Sequence, residues 1–340
     1  MKELKIVFMG TPELSCASLA ALAGDKQFSV AAVVTQPDRP KGRELKLQPS
    51  PVKALAQKLD RPVLQPAKAR DEQFIAELGR LNPDLIVVVA YGHILPQTIL
   101  DLPRYGCLNV HTSLLPKYRG AAPIQWAIAH GDAETGVTVM KMDAGLDTGP
   151  IVAQRRTPIQ PADDSATLHD RLAQLGAALL VETIPDYVAG KIPPQPQPAG
   201  GVSLAPKIKK EDGRIDWSQP AQTIVNRLRA FTPWPGAFTF LPDVVGRASP
   251  RADDGVTKPE RLAGSLAPPK PRLLKIWKAE VVGKSGEAGT VLSSDKSGIV
   301  VACGEGALRI VEMQLEGGRR MNAAEFLAGH PLIPGVRFER

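Results

Sequence analysis

Cysteine is scarce in this chain, and no apolar run is long enough to span a bilayer. The three cysteines, Cys16, Cys107 and Cys303, lie in unrelated segments. An odd, dispersed set fits neither a disulfide framework nor zinc-ligand spacing, so small core thiols and no metal are expected. No window reaches roughly 18 uncharged apolar residues, which excludes a spanning helix. The opening MKELKIVFMG runs into a strand pattern and lacks the apolar core and small-residue cleavage site of a secretory leader. A cytoplasmic monomer with no membrane partner is expected. Nucleotide signatures are missing too. VFMGTPE at the first turn lacks G-x-G-x-x-G, the second strand ends in Thr35-Gln36-Pro37 rather than in an acidic ribose ligand, and no Walker A loop occurs. No nucleotide cofactor is therefore expected, and any acyl donor must arrive already activated.

What is present is an ordinary globular composition. The 340 residues suffice for two domains, with 43% hydrophobic and 23% charged residues. The net charge of +7 is unevenly placed: residues 1–200 carry 21 Lys+Arg against 20 Asp+Glu, whereas residues 201–340 carry 21 against 15. A basic surplus concentrated in one part points to a polyanion, with nucleic acid the first candidate; solubility is the plainer explanation.

Through residue 190, apolar runs alternate with helical patterns. Strands are predicted at Leu4–Met9, Val30–Thr35, Pro62–Leu64, Asp84–Ala90, Leu108–His111 and Val137–Met142, with Ile151–Thr157 returning antiparallel. Helices are predicted from Gly10 to about Ala23, then near 51–59, 71–80, 123–130 and 167–189. This alternation predicts an α/β domain around a doubly wound, mostly parallel sheet. Residues 191–206 begin with KIPPQPQPAGG, whose four prolines and two glycines predict a semi-extended linker. Residues 207–340 hold one helical pattern, at about 221–230, and short strands with glycine turns, predicting a small OB-like β-barrel. Within it, 243–270 is rich in Pro, Gly, Ala and charge, without periodicity, and is predicted to be a long flexible insert.

The chemistry concentrates in residues 107–151, CLNVHTSLLPKYRGAAPIQWAIAHGDAETGVTVMKMDAGLDTGPI. Asn109 and His111 are two positions apart near a strand end, so both project from one face. An amide N–H and an imidazole N–H aimed at one carbonyl oxygen would stabilise the charge of a tetrahedral adduct. About one βαβ unit later, AGLDTGP supplies Asp147, whose carboxylate would stabilise a protonated ring or relay a proton. No Ser or Cys is placed to attack. Taken singly, Asn109 reads equally well as a turn cap, His111 as a satisfied near-core histidine, and Asp147 as a turn former between glycines. The combination reads as direct transfer of an activated one-carbon group to an amine.

NVHTSLLPKYRGAAPIQWAI with GVTVMKMDAGLDTGPI resembles the folate-dependent formyltransferases. TQPDRPKGR, SPVKALA, VVVAYGHILP, KIKKEDGRIDW and RAFTPWPGAF extend the resemblance along the chain, to the branch that formylates aminoacylated initiator tRNA. Only the 243–270 stretch falls outside it, and Thr112 stands where such enzymes more often carry Gly or Ala. The resemblance implies 10-formyltetrahydrofolate as donor and the α-amine of methionine on initiator tRNA as acceptor. It places Asn109, His111 and Asp147 on the catalytic triplet. Ser113, Leu114, Leu115 and Pro116 fall on a segment associated with folate, and Tyr91, Gly92, Ile94 and Leu95 lie beside the expected pterin. It also implies that the loop Thr35–Lys53 meets the acceptor end. That loop has a surplus of three positive charges, with Arg39, Lys41 and Arg43 as candidate phosphate contacts, and Lys207, Lys209 and Lys210 extend the basic track. Residues 1–190 would then bind formyl-folate and residues 207–340 the tRNA. Three rivals stand beside this reading: a formyltransferase acting on a small amine such as an amino sugar nucleotide, a hydrolase releasing formate from the folate, and a catalytically idle RNA-binding protein.

Overall fold

The run LIVVV is buried at every position, as a strand covered on both faces must be. It forms the middle of a sheet in the first of two units, Met1–Ala127 with Asp132–Lys207 and Ile128–Gly131 with Ile208–Arg340. The computed structural model describes residues 3–41, 46–241 and 272–338. The predicted insert at 243–270 lies outside the described residues, as does Arg43.

In chain order the first unit carries β1 (Leu4–Gly10), α1 (Leu14–Gly24), β2 (Phe28–Val34), β3 (Arg39–Lys41), β4 (Lys46–Gln48), α2 (Pro51–Lys58), β5 (Val63–Leu64), α3 (Glu72–Leu81), β6 (Leu85–Val89) and α4 (Gln97–Leu100). There follow β7 (Cys107–His111), β8 (Arg119–Gly120), α5 (Pro123–Ala129), β9 (Glu134–Lys141), β10 (Ile151–Pro158), α6 (Ser165–Val188) and β11 (Leu204–Ala205). Seven strands form one sheet in the order β10-β9-β7-β6-β1-β2-β5. The five from β5 to β7 are parallel, and β10 returns antiparallel to β9. The strand order reverses direction beside β1, the usual position of a ligand crevice at the carboxyl ends of such strands.

One connection departs from the expected βαβ pattern: β9 runs antiparallel to β7. With seven residues, α5 rises only about 10 Å. A helix that short does not carry the chain back along a strand of about 17 Å, so the chain reverses instead. On the sheet, α6 packs close to β7 because Gly176 has no side chain; a Cβ there would lie 2.9 Å from Val110 Cγ1. The amino end of α6 is closed by a capping box, in which the Asp164 carboxylate accepts from Ala166 and Thr167 N–H and the Thr167 hydroxyl accepts from Asp164 N–H.

The segment 191–206 differs from the linker expected of it. Gln195 exchanges both backbone hydrogen bonds with Ile151, at 2.7 Å each, and β11 pairs in parallel with β8. The prolines at 193, 194, 196 and 198 lack N–H groups, but they hold the chain extended. Gln195 and Gln197, standing between them, keep their donors and use them on the first unit.

In the second unit, α7 (Ala221–Phe231) precedes β12 (Ala237–Leu241), β13 (Arg272–Val282), β14 (Val291–Asp295), β15 (Gly298–Ala302), β16 (Ala307–Leu315), β17 (Arg320–Asn322) and α8 (Ala323–Gly329). The strands pair antiparallel in the order β12-β13-β16-β15-β14, with β17 on β16. Their shared core holds the fully buried Trp217, which donates to Thr239 Oγ1 at 3.1 Å and stacks on Phe338.

Candidate active site

A cavity of about 520 Å³ opens at the carboxyl ends of β6 and β7. Its walls are the residues following β6, the end of β7, the β8–α5 connection and the turn 142–147. The first wall is shaped by backbone: Ala90 has φ +46° and Gly92 φ +85°. Glycine is favoured at Gly92 by its positive φ, and a Cβ there would lie 2.5 Å from Gln36 Nε2 and push that side chain aside. Gln36 Nε2 and Thr11 Oγ1 each donate to the Tyr91 carbonyl at 3.0 Å, tying this wall to the strand ends beside it.

Asn109, His111 and Asp147 all line this cavity. Asn109 is 8% exposed, and its backbone pairs with Val88 and Met140. Among the described residues nothing hydrogen-bonds its carboxamide, which leaves the amide donors for a ligand. His111 is equally buried, and its Nε2 lies 2.9 Å from the Tyr118 carbonyl. A carbonyl only accepts, so Nε2 carries a proton and Nδ1 is the nitrogen left toward Asp147. The Nδ1–Oδ2 separation is 3.8 Å, an ion-pair distance rather than a hydrogen bond.

Asp147 reaches this position through a folded-back turn rather than from the end of a parallel strand. Its Oδ2 accepts from Gly120 N–H at 2.8 Å. Its main chain sits at φ +51°, and its carbonyl accepts from Gln197 Nε2 at 2.7 Å. Three anchors of the triplet were therefore invisible as motifs: the Tyr118 carbonyl, the Gly120 N–H and Gln197. Only Gly120 left a trace in the sequence. Its φ of +123° and the 2.7 Å approach of Ala205 O to a built Cβ explain a glycine after Arg119.

The other expected residues divide. Tyr91, Gly92, Ile94 and Leu95 line the cavity, with Ile94 86% exposed. Among the described residues the buried Tyr91 hydroxyl and His93 Nδ1 have no hydrogen-bond partner, and burial pushes the Tyr91 hydroxyl up to about 12. Ser113, Leu114, Leu115 and Pro116 are not part of the lining. Ser113 Oγ donates to Lys117 O, and Leu115 N–H to Thr138 Oγ1, so this segment braces the chain behind His111. The side-chain bonds of Ser113 and Thr138 stay within the protein, as expected of a buried turn. Cys107 stays out of the chemistry because burial raises its thiol to about 12.

Of the basic candidates, Arg39 is exposed and donates to Gln36 Oε1 at 2.6 Å, on the residue that also holds the Tyr91 carbonyl. Lys41 closes the short β3–β4 pair. Lys53, counted in the loop's positive surplus, is neutralised by Asp38 at 2.7 Å, and the hydrogen bonds from Lys53 and Gln65 hold the Asp38 carboxyl below its usual range. Lys207 is exposed in the first unit, and Lys209 and Lys210 are exposed in the second.

Comparison with known proteins agrees with this geometry. The formyl transferase family matches residues 4–184, and the formyl transferase C-terminal domain matches residues 207–331. A methionyl-tRNA formyltransferase of Myxococcus xanthus is 51% identical, covering 98% of each chain. One from Geobacter sulfurreducens is 49% identical over 99% of this chain and 97% of its own. In fold, the chain resembles an N-formyltransferase of Helicobacter canadensis solved with folinic acid and dTDP-3-aminofucose, at TM-score 0.62 and 17% identity, covering 94% of this chain and all of that one. Near-half identity sustained through both units is far more than a shared fold requires. The chain therefore belongs to the formyl transferase family, in its methionyl-tRNA formyltransferase branch.

Proposed function

We propose that this transferase moves the formyl group of 10-formyltetrahydrofolate onto the α-amine of methionyl initiator tRNA. The observation that carries the chemistry is the Asn109 amide, without a partner among the described residues, at a cavity shared with the His111–Asp147 pair. The choice of acceptor is supported by the whole-length relatives, whose match to this chain runs through its second, basic unit as well.

The cavity suits a folate. Its size fits a drug-sized ligand. Ile94 and Leu146 present exposed apolar surface at the rim. The folate brings the activated formyl group; the protein's own residues supply position and charge. The Asn109 carboxamide donates to the formyl oxygen as negative charge develops there. His111 donates to that oxygen through Nδ1, which bears a proton only when the ring is an imidazolium, because Nε2–H is committed to Tyr118. Asp147 balances that ring charge at 3.8 Å; it would take a proton from the attacking amine and pass it, directly or through one water, to the folate nitrogen as that nitrogen's bond to the formyl carbon breaks and tetrahydrofolate leaves. Holding both substrates in one crevice supplies the entropic share of catalysis. Arg39, Lys41, Arg43, Lys207, Lys209 and Lys210 would contact tRNA phosphates, adding affinity without reading sequence.

The test follows labelled formyl from 10-formyltetrahydrofolate with four acceptors: charged initiator tRNA, charged elongator tRNA, a dTDP-amino sugar and water. Label on the initiator methionine is the expected outcome. Label on the sugar nucleotide, or free formate alone, would replace this reading with one of the two small-acceptor rivals. Initiator tRNA bound but never formylated would favour an idle RNA-binding protein.

A further inference from the structure

Gln197 lies in the proline-rich stretch 191–201, half-buried between the exposed Pro196 and Pro198. Its carboxamide is fully used. Nε2 donates to Asp147 O at 2.7 Å and to Gly149 O at 2.8 Å. Oε1 accepts from Arg119 Nε at 3.1 Å and Nη2 at 2.7 Å. Carbonyls only accept and a guanidinium only donates, so the orientation of this amide is determined by its partners. The two carbonyls belong to the turn that carries the Asp147 carboxylate, and the guanidinium belongs to the residue before Gly120, whose N–H holds that carboxylate. Asp147 is thus gripped twice through adjacent residues of β8: directly by Gly120, and through Gln197 by Arg119. The segment holding Gln197 is itself tied down at Gln195 by its backbone bridge to Ile151.

We propose that Gln197 is a positioning residue for Asp147: it clamps the main chain of the turn so that the carboxylate stays beside His111. The proposal rests on the role given to Asp147 above. A non-glycine residue at φ +51° is strained, and negative φ is the less strained conformation. Without the two donors the turn is free to take it, and the Oδ2–Nδ1 distance of 3.8 Å lengthens. Displacements of about 1 Å at such a site cost up to about a hundredfold in rate.

The experiment measures kcat and KM for both substrates, with melting temperature, in the full chain. Gln197→Ala removes the clamp. Gln197→Glu keeps an acceptor for Arg119, and with it the fold of the segment, but presents oxygens rather than donors to the two carbonyls. Both are expected to lower kcat by about ten- to a hundredfold with KM for formyl-folate and tRNA within about threefold. In an Asp147→Asn background, Gln197→Ala is expected to change kcat by less than about twofold, since the clamp then has no charge to position. Wild-type kcat for Gln197→Glu, or losses that multiply in the double variant, would overturn the proposal while leaving the site reading intact. Wild-type turnover for Asp147→Asn alone would overturn both.

Discussion

Asn109→Ala separates a catalytic amide from a structural one. In this structure the Asn109 carboxamide receives no hydrogen bond among the described residues, although the residue is only 8% exposed. Truncation therefore orphans no partner, and it opens space into an existing cavity of about 520 Å³ rather than a sealed void. The usual penalties for a buried polar or large-to-small change are absent, so stability should move by less than about 0.5 kcal/mol. Turnover should fall far more. Removing one donor from an oxyanion site costs about 10²–10³ in kcat, or roughly 2.7–4 kcal/mol of transition-state stabilisation. If Asn109 were instead a turn cap, the pattern would invert: about 1 kcal/mol of stability lost and turnover per folded molecule unchanged. Single-turnover formylation of methionyl initiator tRNA at saturating formyl-folate, paired with calorimetry, reads both quantities. A folded variant within threefold of wild-type rate would refute the reasoning.

Asp147→Asn retains an oxygen for Gly120 N–H and a residue type tolerant of φ +51°, so the turn should persist while the charge beside His111 is lost. Turnover should drop by two or more orders of magnitude at unchanged melting temperature; an active Asn variant would remove the carboxylate from the scheme. Gly92→Ala places a Cβ against Gln36 Nε2 and strains a positive φ, costing about 1–3 kcal/mol and raising the KM for formyl-folate; an unshifted KM would separate this wall from folate binding. Asp163 supplies a pH test. Burial alone would raise its pKa, but Arg171 at 2.5 Å, Gln160 N–H and Thr167 together hold it below the ordinary carboxylate value. Its folded pKa is depressed, so the associated stability is present above the unfolded value near 3.9 and disappears as pH falls through the folded one. Melting temperature scanned from pH 6 to 2.5 should fall less steeply in Asp163→Asn than in wild type, and parallel curves would contradict this.

The parallel half of the sheet was legible because burial on both faces writes itself into composition: LIVVV admits one explanation. The side-chain period of two likewise puts Asn109 and His111 on one face from sequence alone. The reversal at β9 was not legible, since a helix pattern between two strands announces a crossover and says little about whether the helix is long enough to complete it. The linker failed for a different reason. Proline-rich composition reports stiffness, while the pairing of Gln195 and Gln197 depends on residues more than forty positions away. Ser113–Pro116 shows the limit of motifs in the opposite sense. Those residues stand out as a unit, yet they sit behind the wall, where their bonds hold the chain that presents His111.

At Asp147 the proposed function and turn chemistry pull in different directions. Gly145 and Gly149 are demanded by space: a Cβ at the first would lie 2.0 Å from Thr148 Oγ1 and at the second 1.9 Å from Lys141 O. Neither of them takes the left-handed backbone of the turn, which falls to Asp147 at φ +51°. If connecting β9 to β10 were the only requirement, glycine would serve best at that position too, at no steric cost. An aspartate accepts strain of order 1 kcal/mol there, and its side chain forms no capping bond within the turn; it leaves the turn for Gly120 N–H and the face of His111. Local stability is given up for the placement of a carboxylate, and the surrounding bonds from Gly120 and Gln197 offset the loss by holding both ends of the strained residue. The same turn that looks like a loop former in sequence is tethered at both its side chain and its main chain.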